Sequence, residues 1–420
     1  MSLERVMVFF KRRWRALALF LAVLGPGIIT SIMDNDAPGI TTYSVCGADY
    51  GYKMLWLLAL SVIPLVIIQE MCIRMGIVTG KGLGDLIREK YGVRVTFFVL
   101  LPLLVANLGT TMAEFAGVAA SCQILGISKY IAVPVTAFLV WWLVLKASYK
   151  QVERVFLLGC VVYFSYVASG ILAGPDWGQV GRALTHPSFE MTPGFVSLAI
   201  ALIGTTITPW MLFYIQASVV EKGLQKHELS LSRLDMIVGS FLLLVFGVSI
   251  VIACGAVLYP NGIRVETAKE AALALRPLAG NYASLLFALG LLNSSVFAAS
   301  ILPVATSYVT CESLGFEAGI DQTYKEAPVF YLLYAALIVL GSGLILIPGI
   351  NLITVMLVSQ VLCGILLPFV LFYILKLCND KRLMGEYTNS KAFNVISWIT
   401  IVVLIALTAY LAIDGLKSLI

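Results

Sequence analysis

A helix needs about 20 consecutive, mostly apolar residues to cross a bilayer. This chain offers such a run repeatedly: 17–46, 54–78, 95–123, 130–147, 155–174, 194–219, 235–259, 282–310, 329–347, 350–375 and 394–415. The runs are too long and too uniformly apolar for the alternating strands of a barrel, so helices are the only spanning structure left. The expected fold class is an all-α membrane protein with about 11 transmembrane helices. Composition agrees, with 60% hydrophobic and 12% charged residues. A soluble domain is about 25% charged and could not bury this much apolar side chain in one core. One transmembrane domain over 1–420 is expected, with no separate soluble domain and no cleavable signal peptide. The loops 81–94 and 261–279 are amphipathic and are expected as short surface helices.

Orientation follows from lysine and arginine. One set of loops and flanks holds Arg12, Arg13, Arg74, Lys81, Arg88, Lys90, Lys150, Arg233, Lys376, Lys381 and others of their kind. The opposite set holds only Lys53, Lys129, Arg182, Arg264, Lys269, Arg276 and Lys417. The bias places the N-terminus in the cytoplasm of a cell (inner or plasma) membrane protein, and an odd span count then puts the C-terminus outside. The basic balance reflects this bias and not nucleic-acid binding. The cysteines are scattered without a CxxC pair and read as small apolar side chains. His186 and His227 fall in predicted loops, which argues against a histidine-based zinc or haem site. No catalytic constellation such as GxSxG or HExxH falls in a span, so an enzyme is not expected. No cofactor is expected either.

Two runs are interrupted at mid-membrane depth. The first reads Gly25-Pro26-Gly27, then Asp34-Asn35-Asp36-Ala37-Pro38-Gly39. The sixth reads Gly204-Thr205-Thr206-Ile207-Thr208-Pro209-Trp210. Proline removes an amide donor and clashes with the preceding turn, while glycine permits the irregular backbone beyond it. A carboxylate at this depth costs at least about 2.5–3.5 kcal/mol. Irregular backbone survives in a membrane only when buried in protein or lining a wet cavity. The two breaks take corresponding places in two five-span units, about 17–174 and 194–375, with an extra helix at about 394–415. Paired interruptions of this kind mark the substrate site of an inverted-repeat transporter.

The breaks offer unwound carbonyls, the Asp36 carboxylate and hydroxyls of Thr205 or Thr208. That set is all oxygen and net negative, which suits a hard cation and lacks the thioether and imidazole that softer metals favour. Magnesium sheds water reluctantly and is usually held by one or two carboxylates, whereas calcium wants six to eight oxygens. Other polar groups stay open between two roles. Glu114 is an ion-pathway carboxylate or a neutral acid within the bundle. Gln360 swings toward an ion or bridges helices. Asp34 and Asn35 line a vestibule or cap the first half-helix. Gln69 and Glu70 are read as interhelical contacts or partners of Arg74.

Several stretches resemble the Nramp divalent-metal transporters. The first span does so from Gly25-Pro26-Gly27 through Asp36 to Cys46-Gly47-Ala48-Asp49-Tyr50-Gly51-Tyr52. Span two agrees at Gly76-Ile77-Val78-Thr79-Gly80, span three at Ala113-Glu114, and span six at Gly204–Pro209 and Ala217-Ser218-Val219-Val220. Span ten is similar at Ser359-Gln360-Val361 and Leu367-Pro368-Phe369. The resemblance implies a LeuT-type inverted repeat of 5+5 with broken helices 1 and 6 and alternating access. It implies metal-site residues Asp36, Gly39, Thr205 through its carbonyl, Thr208 and Gln360, with Asp34, Glu114 and Trp210 lining the pathway.

The departures from that family carry information too. Its first-break Asp-Pro-Gly-Asn is here Asp36-Ala37-Pro38-Gly39, so the asparagine ligand becomes Gly39. Its sixth-helix Met-Pro-His is here Thr208-Pro209-Trp210, and a later histidine aligns with Ile215. The acidic residue three before Glu114 aligns with Thr111. These losses resemble the divergent Nramp-related magnesium transporters. They imply uptake of Mg2+, with Mn2+ also accepted, bound partly hydrated and without proton coupling. The partners implied are the divalent ion and the lipid bilayer, with no nucleic acid and a monomer plausible. Two alternatives stay open: a proton-coupled Mn2+/Fe2+ transporter, and a sodium-coupled organic solute symporter on the same fold.

Overall fold

The structure is a computed structural model that describes residues 34–146, 160–319 and 322–417. The expected segment 17–33, with Gly25-Pro26-Gly27, and the start of the run 155–174 lie outside the described residues. Among those described, every regular element is helical. In chain order they are α1 (Ala37–Tyr50), α2 (Leu55–Thr79), α3 (Leu83–Ile124), α4 (Lys129–Lys146), α5 (Phe164–Leu172), α6 (Trp177–Thr185), α7 (Pro193–Thr206) and α8 (Pro209–Glu221). They continue with α9 (Leu229–Val257), α10 (Ala268–Ala272), α11 (Arg276–Ala279), α12 (Ala283–Leu314), α13 (Pro328–Ile345), α14 (Leu352–Cys378), α15 (Lys381–Met384) and α16 (Lys391–Lys417).

Eight candidate spans among the described residues are long and apolar enough to cross a membrane, counting α7 and α8 as one. The apolar part of α4, Lys129–Leu143, is shorter. Where the expected runs fall on described residues the helices agree with them in position, with eight spans described against the eleven or so expected. The largest difference is at α3, which begins at Leu83 and so fuses the expected surface helix with the expected span 95–123. The two parts meet at Gly92, whose φ of 81° is a conformation that side-chain-bearing residues avoid, and the fused element is kinked there. The region 261–279 forms the short helices α10 and α11 as expected.

Burial sorts the helices into centre and rim. In its most apolar window the α7–α8 pair is 94% buried inside the protein, whereas α16 is 17% buried and turns its apolar side chains outward. The first helix is central as well, being buried from Ala37 to Ala48. It packs against α9, α14, α7 and α3, and α3 in turn packs most extensively against α12 and α14. The central packing is close because small residues let backbones approach. A Cβ at Gly204 of α7 would fall on the Gln360 carbonyl of α14 and 2.6 Å from the Gly364 amide nitrogen. Gly117 of α3 leaves room for Ala37 at the start of α1 and for Ser295 of α12 in the same way.

Apart from the buried Asp34, Asp36 and Glu114, charged residues gather at the two ends of the bundle. At the basic end Glu70 of α2 accepts from Arg74 at 3.1 Å and from Arg233 of α9 at 2.6 Å. Arg74 reaches on to the Tyr387 carbonyl and to Asn389 Oδ1 at 2.7 Å. Lys90 pairs with Asp380 at 2.8 Å on the same end. At the other end Lys53 meets Glu190 at 2.5 Å, and Lys129 donates to the Ile345 and Ile347 carbonyls at 2.9 and 3.0 Å. Gln69 accepts from Ser240 and donates to Met211 Sδ, so Gln69 and Glu70 both join neighbouring helices. His186 and His227 lie outside the spans, in the last residue after α6 and a short turn before α9.

The Gly204 contact gives a direct expectation. Gly204→Ala should cost about 1–3 kcal/mol by overpacking. It should lower the thermal unfolding midpoint of the detergent-solubilised protein, and an unchanged midpoint would contradict the packing described.

Candidate metal-ion site

Helices α1 and α8 begin with the same local device, a start on a proline. Asp36 is the N-cap of α1, with extended backbone at φ −73° and ψ −179°, and its Oδ1 accepts the Gly39 amide at 2.7 Å. Pro38 then occupies the first turn, where a missing amide hydrogen costs nothing. On the other break α7 stops at Thr206, Ile207 leaves the helical region, and Thr208 is the N-cap of α8 with Pro209 at its first position. Aspartate, threonine and an early proline are what such a restart favours.

The same prolines free two carbonyls. In a continuous helix the amide four residues on would bond each carbonyl, but Pro209 cannot donate to the Thr205 carbonyl and Pro38 cannot donate to the Asp34 carbonyl. The last amide bond of α7 is Ile207 to the Ile203 carbonyl at 2.9 Å. Thr205 therefore presents backbone oxygen at the C-terminal end of a half-helix, where partial negative charge gathers.

Oxygens converge on Gly39. A Cβ built there would lie 2.7 Å from the Asp34 carbonyl, 3.0 Å from Asp36 Oδ1 and 3.1 Å from Thr205 Oγ1. One point is thus ringed by a backbone carbonyl, a carboxylate and a hydroxyl from the two breaks. The contribution of Gly39 is the space it leaves. Asp34, Asp36, Thr205, Thr208, Glu114, Gln360 and Trp210 are all buried.

Each expected residue has a definite place. Thr208 donates its hydroxyl to Asp34 Oδ1 at 2.9 Å, joining the two breaks. Glu114 of α3 comes alongside Asp36 and the Ala37 amide at the start of α1. Gln360 stands on α14 with its carbonyl against Gly204, and its side-chain nitrogen lies 3.5 Å from Ser359 Oγ. Trp210 sits in the first turn of α8 with its ring 6.1 Å from that of Tyr214. The structure brings Asp34, Asp36, Gly39, Thr205, Thr208 and Glu114 together, and places Gln360 and Trp210 on the helices that wall them in.

Acceptors predominate among the polar atoms left unmet. Asp34 Oδ2, Thr205 Oγ1, both Glu114 oxygens and Gln360 Oε1 are buried without a hydrogen bond to any described residue. The Trp210 indole nitrogen and the Tyr43 hydroxyl are donors in the same condition, and the Thr205 hydroxyl can donate as well as accept. An unmet buried polar atom costs about 1–3 kcal/mol, so this array fits a bound species that offers positive charge or hydrogen-bond donors. Three sulphurs stand on α14, but Met356 accepts from Thr41 at 3.3 Å, Cys363 is paired with Thr110 at 3.5 Å, and Cys378 at the far end of the helix donates to the Met71 carbonyl at 3.7 Å.

Sequence reasoning missed Gly117 and the Asp34–Thr208 contact. The small-residue stretch Ala116-Gly117-Val118-Ala119-Ala120 was the available signal for a close helix approach. Nothing in the sequence announces the second contact, which joins residues 174 positions apart.

Comparison with known proteins follows from this geometry. Residues 27–414 match the family Nramp, described as natural resistance-associated macrophage protein-like. The chain is 28% identical over 411 residues to the divalent metal cation transporter MntH of Deinococcus radiodurans, covering 94% of this chain and 91% of that protein. It is 24% identical over 407 residues to the protein of the same name from Bacillus subtilis, covering 94% and 93%. Among solved structures it is similar to the manganese transporter of Eremococcus coleocola bound to an aromatic bis-isothiourea compound. That similarity has a TM-score of 0.77 at 23% identity, covering 92% of this chain and 85% of the other, and establishes the shared helical fold.

Gly39→Ala tests the oxygen ring. Its methyl would sit inside ordinary contact distance of the Asp34 carbonyl. Divalent-ion binding measured by titration calorimetry should weaken about tenfold, the equivalent of about 1.4 kcal/mol of displaced contacts, and because the obstructing atom is backbone the unfolding midpoint should fall as well.

Proposed function

The chain belongs to the Nramp family, and from that premise we propose that it carries divalent metal ions across the membrane, with partly hydrated Mg2+ as the preferred cargo and Mn2+ also accepted. The observation that carries this is the surplus of buried acceptors around Asp36. An ion that keeps its waters donates hydrogen bonds from them, and so can satisfy Glu114, Gln360 Oε1 and Thr205 Oγ1 at once. A bare ion would meet only the few oxygens nearest it. Magnesium is the common divalent ion that holds water most tightly and uses few carboxylates.

In this reading Asp36 supplies the charge. The Thr205 carbonyl and the Thr208 hydroxyl supply neutral oxygen, Gly39 supplies room for water, and Gln360 bonds to the hydration shell. The repeats span about 17–174 and 194–375, the broken helices rock around the site, and the basic end of the bundle faces the cytoplasm. Uptake is driven by the membrane potential, worth about 2.3 kcal/mol per charge per 100 mV and so about twice that for a divalent ion. The absence of histidine from both breaks supports transport without a proton partner. The Glu114 carboxylate beside Asp36 favours the second reading, proton-coupled manganese transport.

Proteoliposomes loaded with a pH-sensitive dye separate the two. Inward-negative potential should drive Mg2+ and Mn2+ uptake with no change in lumen pH, and Asp36→Ala should abolish it. Lumen acidification that tracks ion entry would replace the uncoupled reading with the coupled one.

A further inference from the structure

Thr208 is placed to cap α8, yet its side chain makes no capping bond. Threonine at an N-cap ordinarily accepts an amide of the helix it begins. Here the hydroxyl instead gives its proton to Asp34 Oδ1 at 2.9 Å, across the gap between the two breaks. Both residues are buried, at 0% and 1% exposure, so water does not compete for that proton. A hydroxyl has one hydrogen and two acceptor lone pairs. With the hydrogen committed to Asp34, the lone pairs are what Thr208 has left to turn toward a cation. A carboxylate taking the proton also increases the negative charge on the threonine oxygen. The pattern is that of an outer carboxylate orienting a metal-bound side chain.

We propose that Asp34 is a positioning residue for the transported ion, acting through Thr208. It rests on the metal-site reading above and goes beyond it, because Asp34 is assigned to hold Thr208 and not to line the pathway. The contact also spans the two breaks, so it sets how far Thr208 stands from Asp36. Loss of such outer partners elsewhere costs about 10–100-fold in metal affinity.

The test is a double-mutant cycle on the purified full-length protein, with MgCl2 and MnCl2 titrated calorimetrically. Asp34→Ala and Thr208→Val should each weaken binding, Asp34→Ala by about 10–100-fold. The Asp34→Ala/Thr208→Val double variant should be close to the weaker single one, because one contact is removed twice. Asp34→Asn, which keeps an acceptor oxygen, should recover part of the loss, and Thr208→Ser, which keeps the hydroxyl, should bind nearly as wild type. Losses that multiply in the double variant, or wild-type affinity in Asp34→Ala, overturn the proposal. Should Asp34→Ala fail to fold, Asp34→Asn and Thr208→Val complete the same cycle with the same criterion. Asp36→Ala is run alongside: if it binds both ions as wild type does, the metal-site reading fails, whereas loss in Asp36→Ala with multiplying losses at Asp34 and Thr208 fails the proposal alone.

Discussion

Lipid offers no hydrogen bonds, so every unwound turn in a membrane protein must be enclosed by protein or meet a ligand. That constraint governs the arrangement at Asp34–Asp36 and Ile207–Thr208. Each break is walled by helices that belong to distant parts of the chain: α3 and α14 beside α1, and α14 again beside α7. The enclosure depends on close approach. Gly204 meets the Gln360 carbonyl, Gly364 meets the Ile200 carbonyl, and Gly117 makes room for Ala37. Larger side chains at these positions would lever the walls apart and expose the broken backbone to lipid.

Within that enclosure the polar groups divide by type. Two donors on the protein side are committed: the Gly39 amide to Asp36, and the Thr208 hydroxyl to Asp34. Most of the uncommitted groups are acceptors, with the Trp210 indole nitrogen and the Tyr43 hydroxyl as donors beside them. A neutral organic solute, which brings acceptors of its own, would leave many of these unmet. A cation with bound water is their complement, and this is why the alternative of a sodium-coupled organic solute symporter finds least support. The sulphur atoms of Met356 and Cys363 do not change the balance, since Thr41 and Thr110 already engage them.

Away from the centre, the Glu70–Arg74–Arg233 cluster ties α2 to α9, and Arg74 ties both to the turn at Tyr387 and Asn389. A buried ion pair of this sort adds little net stability, because desolvation offsets attraction. It does fix which helix ends are neighbours at the basic end. The rim helix α16 has no comparable role in the centre, and its outward apolar face is what lipid requires.

The amino-acid sequence by itself determined the helical membrane class, the positions of the described spans, the basic end and the interruption at Ile207–Thr208. These are local properties: run length, lysine and arginine placement, and the backbone limits of proline and glycine act within one stretch of chain. It also marked Asp36, Thr205 and Thr208 as residues with no bland reason to be at mid-membrane depth. Only the tertiary structure decided that Glu114 stands beside Asp36, that Gly39 contributes space among oxygens, and that Thr208 gives its proton to Asp34 instead of capping its own helix. Those facts depend on which residues far apart in the chain share a few ångströms of space. That proximity follows from how small side chains let particular helices close on one another, which no single stretch of sequence encodes.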